Sequence, residues 1–262
     1  MRGGTGTGTG TGAGVFAGRF AGRRAVVSGA ASGIGAAVAR RLVAEGAVVA
    51  GLDRRWGGGD DPWPAPAALR VTVDLLDAEA IDPAVLEAID VLGGLPDILV
   101  NAAGIYRIRS LLDTTAAEWD EIQAINLRGT FLVAAACVRA GMRDGAIVNM
   151  SSVAAYEGSA GEPTAAYNAS KAGVTNLTMQ MAAEWAPRGL RAVAIAPGVI
   201  ATPMLRLMDD PVAGQAYLDA SVPLRRLGTA DEIAAVVCFA ASSEASYLTG
   251  TTITVDGGLL AE

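Results

Sequence analysis

The sequence predicts an α/β protein with a doubly wound parallel sheet of about seven strands and helices on both faces. From residue 24 onward, short β-branched or apolar runs alternate with longer segments rich in Ala and Leu, which is typical of βαβ units. The length of 262 residues, with 52% apolar and 18% charged residues, suits a sizeable core. We therefore expect a single domain over residues 19–262.

The elements follow from the positions of the apolar runs. Strands are predicted at residues 24–29, 47–53, 69–74, 97–101, 146–151, 190–196 and 252–255. Helices are predicted near residues 33–45, 77–92, 115–140, 164–186 and 230–241. Between the second and third strands, RRWGGGDDPWPAPAA is too rich in Gly and Pro for a full crossover helix. The segment 203–227 follows a strand end without the apolar spacing of a core helix, which suggests a lid over a site.

Composition favours a small-molecule partner in a reducing compartment. With 27 acidic and 20 basic residues the net charge is −7, which argues against nucleic acid or an anionic membrane as the partner. No apolar run has the length of a membrane span. Cys137 and Cys238 lie in apolar helical runs without metal-binding spacing, so we expect buried free thiols, no metal and a cytoplasmic location.

The first 18 residues differ in composition from the rest. MRGGTGTGTGTGAGVFAG alternates Gly with Thr and lacks the apolar region of a secretory signal. Such a segment cannot bury enough surface to become ordered. We therefore expect a flexible tail over residues 1–18.

A glycine-rich turn follows the first strand. Gly29, Gly33 and Gly35 stand where the strand meets the first helix. Glycines there let the backbone approach a pyrophosphate, and the helix N-terminus favours negative charge. A plain βα turn is the alternative.

Asp53, at the end of the second strand, would bind a ribose 2′-hydroxyl and repel a 2′-phosphate, which favours NAD. The adjacent Arg54 and Arg55 leave NADP possible.

A tyrosine and a lysine supply the candidate proton-transfer groups, because the chain has no histidine. In AAYNASKAG, Tyr167 and Lys171 are four positions apart, so on a helix they share one face. The ammonium would then supply part of the lowering of the phenol pKa, and a cationic cofactor would help supply the rest. A solvated helix face is the alternative interpretation. Asn126 lies inside a predicted helix, where its low propensity needs a reason.

Residues 23–259 resemble the short-chain dehydrogenase/reductase family. The matching segments are SGAASGIG (28–35), Asp74, NAAG (101–104), Asn126, VNMSS (148–152), YNASK (167–171), PGVIATP (197–203) and DGG (256–258). The resemblance implies a Rossmann-type fold, a nicotinamide dinucleotide at the carboxyl edge of the sheet, and reversible oxidation of an alcohol to a carbonyl compound.

The same resemblance assigns roles to individual residues. Tyr167 would be the general acid/base, Lys171 would also hold the nicotinamide ribose, and Asn126 would hold a water that joins Lys171 to solvent. Asp74 would contact adenine, Asn101 and the small residues after it would line the adenosine ribose, and Ile200 with Thr202 would hold the carboxamide. The implied cofactor-binding set is Gly29, Ser32, Gly33, Ile34, Gly35, Asp53, Asp74, Leu75, Asn101, Ala102, Gly104, Tyr167, Lys171, Pro197, Gly198, Ile200 and Thr202.

The catalytic hydroxyl has two candidates, because Ser151 and Ser152 point to opposite faces of a strand end. The family's register on the strand selects Ser152, whereas counting back from Tyr167 would reach Ala154. Because loops absorb insertions more easily than strands do, we predict Ser152. Ser151 is expected to be satisfied by backbone.

Substrate identity is left open by these motifs, because specificity lies on loops. Residues 104–110, 153–164 and 203–227 would shape the pocket. Arg107 and the short second crossover resemble the dihydrodiol dehydrogenase branch, including 2,3-dihydro-2,3-dihydroxybenzoate dehydrogenases, although a solvated surface arginine is an alternative. We expect a secondary alcohol, with a cyclic alcohol or diol preferred. The alternatives are a 3-oxoacyl-thioester reductase and a non-catalytic nucleotide sensor.

Apolar surface on helices 115–140 and 164–186 predicts a homotetramer.

Overall fold

The computed structural model describes residues 18–57, 63–64, 68–158, 161–205 and 207–261. Except for Gly18, the tail predicted at the N-terminus lies outside these residues. The described strands are β1 (Arg24–Ser28), β2 (Val48–Asp53), β3 (Ala68–Thr72), β4 (Ile98–Asn101), β5 (Ala146–Met150), β6 (Arg191–Pro197), β7 (Ile200–Ala201), β8 (Gly228–Thr229) and β9 (Thr251–Val255). The described α-helices are α1 (Gly33–Ala44), α2 (Ala78–Val91), α3 (Ala116–Gln123), α4 (Gly129–Arg139), α5 (Ala165–Trp185), α6 (Pro211–Ser221) and α7 (Ala230–Ala241).

Seven strands form one parallel sheet in the order β3-β2-β1-β4-β5-β6-β9. Helices α1 and α7 pack on one face of the sheet, and α2, α4 and α5 pack on the other. The fold predicted from the sequence is therefore confirmed. The strand order reverses at β1, which lies between β2 and β4, so a crevice opens at the carboxyl ends of these strands.

The predicted helix over residues 115–140 is interrupted. Residues Ala124–Arg128 form one π-helical turn between α3 and α4, and Asn126 lies at its centre. Such turns are rare and occur frequently at functional sites. The side chain of Asn126 is fully buried, and its backbone carbonyl accepts a hydrogen bond from Thr130 Oγ1 at 2.8 Å. The irregular turn explains why a poor helix former is tolerated here.

The segment 203–227 contains a helix that the apolar pattern did not predict. Asp210 caps α6 by accepting from the amides of Val212 and Ala213, and Pro211 occupies the first turn. An acidic cap followed by Pro is a helix-start signal that does not depend on apolar periodicity. Only Gly214 and Leu218 of this helix are buried, which is why its periodicity is weak.

Two tryptophans cover the sheet where the crossover between β2 and β3 is short. Their rings pack edge to face with centroids 4.9 Å apart, and a Cβ on Gly51 would lie 2.3 Å from Trp63 and 2.7 Å from Trp56. Trp63 is buried, and its indole N–H donates to the carbonyl of Ala68 at 3.0 Å. No helix is present among the described residues of this crossover, so the indole rings take over part of a helix's packing role.

Within the described part of the chain, no helix is both long enough and apolar enough to cross a membrane.

Trp63→Ala is expected to lower the free energy of unfolding by about 3 kcal/mol, because it opens a cavity against Gly51 and removes a buried hydrogen bond. Denaturation in urea, followed by far-ultraviolet circular dichroism, measures this change. Tyr247→Ala removes a fully exposed aromatic ring and serves as the control, with a change below about 0.5 kcal/mol. Equal effects of the two substitutions would contradict the assigned packing role.

Candidate active site

A groove at the carboxyl ends of β1 and β4 has the features of a phosphate-binding site. Gly29 and Gly33 have φ angles of 67° and 53°, which side chains disfavour. A Cβ on Gly35 would lie 2.1 Å from the carbonyl oxygen of Gly29, so only glycine lets α1 approach the strand this closely. Ser32 precedes α1 without a side-chain hydrogen bond to the first turn. The amides of that turn are therefore available to a phosphate.

Asp53 lies in the same groove, at the end of β2. Its carboxylate accepts from the amide of Ala31 at 3.0 Å and from the amide of Arg55 at 3.2 Å. The adjacent Arg54 also lines the groove and has no hydrogen-bond or ion-pair partner among the described residues. The groove therefore contains both a fixed carboxylate, which favours a ribose hydroxyl, and a cation that is able to meet a phosphate.

Most of the predicted cofactor residues lie together. The groove encloses about 260 Å³, and its lining includes the predicted residues Gly29, Ser32, Gly33, Ile34, Gly35, Asp53, Asp74, Leu75, Ala102, Gly104 and Thr202. Pro197, Gly198 and Ile200 line the adjacent cavity. Asn101 is the exception, because its side chain is buried and donates to Asn149 Oδ1 at 2.9 Å. Its backbone alone could serve a ribose.

A second, larger cavity of about 490 Å³ continues from the groove and contains the candidate proton-transfer groups. Ile34, Ala102, Gly104 and Thr202 line both spaces. Ser152, Tyr167 and Lys171 lie in the wall of the larger cavity. A reacting carbon in this cavity would thus lie next to the end of a dinucleotide in the groove.

The structure distinguishes the two adjacent serines. The hydroxyl of Ser152 lies near enough to the Tyr167 hydroxyl to lower its pKa, and it accepts from the amide of Ala154 at 3.2 Å. Ser151 instead donates to the carbonyl of Lys171 at 3.1 Å and shares a hydrogen bond with Thr175 at 2.7 Å. The choice of Ser152 from the strand register stays a prediction, which the separate bonding of Ser151 supports.

Lys171 is buried and surrounded by polar groups. Its ammonium donates to the carbonyl of Met150 at 2.7 Å and lies 5.5 Å from the centre of the Tyr167 ring. A Cβ on Gly104 would lie 3.6 Å from Lys171 Nζ and 3.4 Å from Asn126 Oδ1. Glycine at position 104 therefore leaves room for a ligand or a water between the amide and the ammonium.

Asn126 acts on this region through the loop after β4. Its side chain accepts from the amide of Ile105 at 2.8 Å, and it donates to the carbonyl of Ile105 at 2.9 Å and to Ser170 Oγ at 3.1 Å. The predicted water-holding role stays a prediction. The contacts give Asn126 a second duty, which is to fix the loop that borders both cavities.

Burial decides the direction of the pKa shifts of Tyr167 and Lys171 in the chain alone. Burial raises the pKa of the Tyr167 hydroxyl, and the nearby Ser152 hydroxyl lowers the pKa only in part. Burial also lowers the pKa of Lys171 to about 8. The prediction that the lysine and a cationic cofactor together lower the pKa of the phenol stays a prediction, because in the chain alone burial decides the direction at Tyr167. A low phenol pKa requires a further positive charge beside the ring.

Three residues of the larger cavity, Tyr106, Glu162 and Tyr217, lie in the three segments predicted to shape the pocket, although the sequence did not single them out. The Tyr106 ring packs edge-on against the Tyr167 ring with centroids 4.9 Å apart, and burial together with the nearby Glu162 carboxylate raises the pKa of the Tyr106 hydroxyl. Tyr217 projects from α6. No motif marks these residues, since they come from three loops or helices that only the fold brings together.

Arg107 is a surface residue. Its guanidinium forms an ion pair with Glu121 at 2.7 Å, and it is not among the described residues that line either space. The alternative of a solvated arginine is therefore the one observed. Arg107 therefore gives no support to the resemblance with the dihydrodiol dehydrogenase branch.

Comparison with known proteins assigns the family. The model described as enoyl-(acyl carrier protein) reductase matches residues 29–260. A galactitol 2-dehydrogenase (L-tagatose-forming) from Cereibacter sphaeroides is 40% identical over 88% of this chain and 92% of that protein. The chain belongs to the short-chain dehydrogenase/reductase family. A 3-oxoacyl-[acyl-carrier-protein] reductase from Salmonella typhimurium is 41% identical over 89% of this chain and 96% of that protein.

One solved structure that is similar to this chain contains a bound nucleotide. A structure from Agrobacterium tumefaciens, described as a 2-deoxy-d-gluconate 3-dehydrogenase with bound NADP, is 33% identical to this chain with a TM-score of 0.82; the match covers 94% of this chain and 99% of that chain. Family members of this shape therefore include one that takes the phosphorylated cofactor.

The ionisation of Tyr167 is expected to depend on the cofactor. Without NAD⁺, burial disfavours the phenolate, so the pKa lies above the ordinary value of ~10; adding NAD⁺ places positive charge nearby and lowers it. Ultraviolet absorbance of the phenolate, taken as the difference between the native protein and Tyr167→Phe, measures both values. An ionisation below ~10 in the protein alone, unchanged by NAD⁺, would contradict this account.

Proposed function

We propose that this short-chain dehydrogenase/reductase is an NAD(H)-dependent oxidoreductase that interconverts a secondary alcohol and its ketone. The observation that carries the proposal is that Ser152, Tyr167 and Lys171 lie together in the wall of a cavity that continues into the cofactor groove. Two hydroxyl groups that converge on one point can both bond a single reacting oxygen. Lys171 lines the same cavity.

The nicotinamide supplies hydride acceptance or donation when it is bound. In oxidation, the alcohol loses its hydroxyl proton to the ionised Tyr167 while its C–H bond gives up hydride, and a carbonyl forms. In reduction, Tyr167 returns the proton to the carbonyl oxygen. Ser152 donates a hydrogen bond to that oxygen as negative charge develops on it. Lys171 holds the ribose and stabilises the phenolate.

Reduction of a 3-oxoacyl thioester is the second candidate. It is supported by the Salmonella relative named above and by the description of the matching family model. A non-catalytic sensor is disfavoured, because a protein that only binds nucleotide has no need of the Ser152, Tyr167 and Lys171 arrangement. Substrate turnover separates these alternatives.

Two further expectations stay predictions. The homotetramer is supported by exposed apolar side chains on α4 and α5, namely Phe131 and Met179. A cytoplasmic location is supported by the two buried free thiols.

Tyr167→Phe is expected to lower kcat about 100-fold or more, because the general acid/base is lost, with NADH binding changed less than about threefold. Cofactor oxidation with a panel of cyclic ketones and 3-oxoacyl thioesters measures kcat, and NADH fluorescence measures binding. Ser152→Ala should also lower kcat strongly, whereas Ser151→Ala is the matched control with a smaller loss. No turnover of any ketone by the native protein would overturn the proposal.

Asp53→Ala is expected to reduce the preference for NADH over NADPH about tenfold, since the substitution removes both a charge-assisted hydrogen bond to ribose and a charge that repels phosphate. The ratio of the two dissociation constants is the measurement. Asp82→Ala, which removes an exposed carboxylate paired with Arg139, is the control. A native protein that already prefers NADPH would show that Arg54 outweighs Asp53.

A further inference from the structure

Lys171 is held at both ends by consecutive residues of one strand end. Its ammonium donates to the carbonyl of Met150, the last residue of β5, at 2.7 Å. Its backbone carbonyl accepts from the hydroxyl of Ser151, the next residue, at 3.1 Å. A lysine side chain is a long, flexible stem, so these two bonds together limit the positions that the stem can take.

Ser151 is itself fixed by the sheet. Its amide donates to the carbonyl of Ile195 in β6 at 2.7 Å, and the residue is buried. Its hydroxyl shares a further hydrogen bond of 2.7 Å with Thr175 Oγ1, one turn after Lys171 on α5. Positions four apart lie on one face of a helix, so Lys171 and Thr175 both meet this strand end.

The number of protons decides the direction of these bonds. A serine hydroxyl has one proton to donate, and Ser151 donates it to the carbonyl of Lys171. The bond between Ser151 and Thr175 therefore requires the Thr175 hydroxyl to be the donor. Helical threonines can instead donate to the carbonyl four residues earlier, as Thr178 does to Val174 at 2.7 Å. For Thr175 that carbonyl belongs to Lys171, and Ser151 bonds it.

We propose that Ser151 and Thr175 are positioning residues, which hold Lys171 where its ammonium serves both the phenol of Tyr167 and the cofactor ribose. They act through the backbone of α5 and not on the reacting oxygen. Their effect on turnover rests on the proposed alcohol dehydrogenase function, whereas the position of Lys171 is measured without turnover. The same series of bonds gives a cause for the smaller loss expected of Ser151→Ala.

The pKa of Lys171 reports on its position. The Tyr167 ring lies 5.5 Å from the ammonium, β5 presents the Met150 carbonyl, and the loop after β4 and the π-helical turn present Gly104 and the Asn126 amide. The carboxylates of the same cavity are those of Glu157 and Glu162. Burial lowers the pKa of Lys171 to about 8, so this pKa follows how far the ammonium is kept from water.

A single NMR signal tests the proposal, because Lys171 is the only lysine of the sequence and isotope-labelled lysine marks it alone. Thr175→Val nearly keeps the shape of the side chain and removes its hydroxyl. The pKa of Lys171 measured without cofactor should then rise from about 8 toward the ordinary ~10.4, because a released ammonium moves toward water. Thr175→Ser, which keeps a hydroxyl, should give the native titration.

Thr178→Val is the matched control. Thr178 is buried on the same helix and accepts from Asn149 Nδ2 in β5 at 3.0 Å, so its substitution also removes a bond between α5 and β5. It should lower the free energy of unfolding and leave the Lys171 titration and NADH binding unchanged. An equal change of the lysine signal in Thr178→Val would indicate a general loosening of the helix and would contradict the proposal.

Cofactor binding and turnover give two further measurements. In Thr175→Val the dissociation constant of NADH should rise and kcat should fall, each about tenfold, because the ammonium loses its alignment with the ribose and the phenol. Ser151→Ala should show the same changes. The double variant should be no worse than either single variant, since both hydroxyl groups act through one series of bonds. Additive losses would show that they act independently.

Two results separate this inference from the proposed function. A native lysine signal and titration in both Ser151→Ala and Thr175→Val would overturn the inference, while turnover of a ketone by the native protein would stand. Turnover of no ketone, together with a displaced lysine signal in these variants, would overturn the proposed function and leave the inference standing.

Discussion

The candidate site depends on the burial of one ammonium group. Removing Lys171 from water is costly unless polar groups compensate, and the carbonyl of Met150 at the end of β5 provides the compensating bond. The hydrogen-bonded position fixes the lysine on α5, and with it Tyr167 one turn earlier. Gly104 and Asn126 complete the surroundings on the opposite side. The spacing of β4, β5 and α5 thus sets the geometry of the reacting groups.

The same arrangement explains why the phenol needs help from a ligand. Tyr167 and Lys171 are both buried, and desolvation works against the charged form of each: it raises the pKa of the phenol and lowers that of the ammonium. Charge attraction within the pair does not reverse this effect. A catalytic phenolate is consequently coupled to cofactor binding, so the chain would avoid holding a reactive base in an empty site.

The loops convert this common machinery into a particular cavity. Tyr106 and Glu162 come from loops that follow different strands, and Tyr217 comes from α6. Hydrogen bonds between the loops, including that from Arg109 to Pro163, make them one wall. Residues outside the segments shared with the family thus line much of the larger cavity.

The sequence by itself determined the seven strands of the sheet, the glycine turn, and the tyrosine and lysine four residues apart. Each depends on local periodicity, on backbone freedom or on motif order, all of which are written in consecutive residues. Only the tertiary structure decided the π-helical turn at Asn126, the inward side chain of Asn101, the surface position of Arg107 and the wall of Tyr106 and Glu162. The structure alone also shows that burial raises the pKa of the Tyr167 hydroxyl. These properties follow from burial and from contacts between distant segments, because desolvation and packing depend on neighbours that the linear order does not specify.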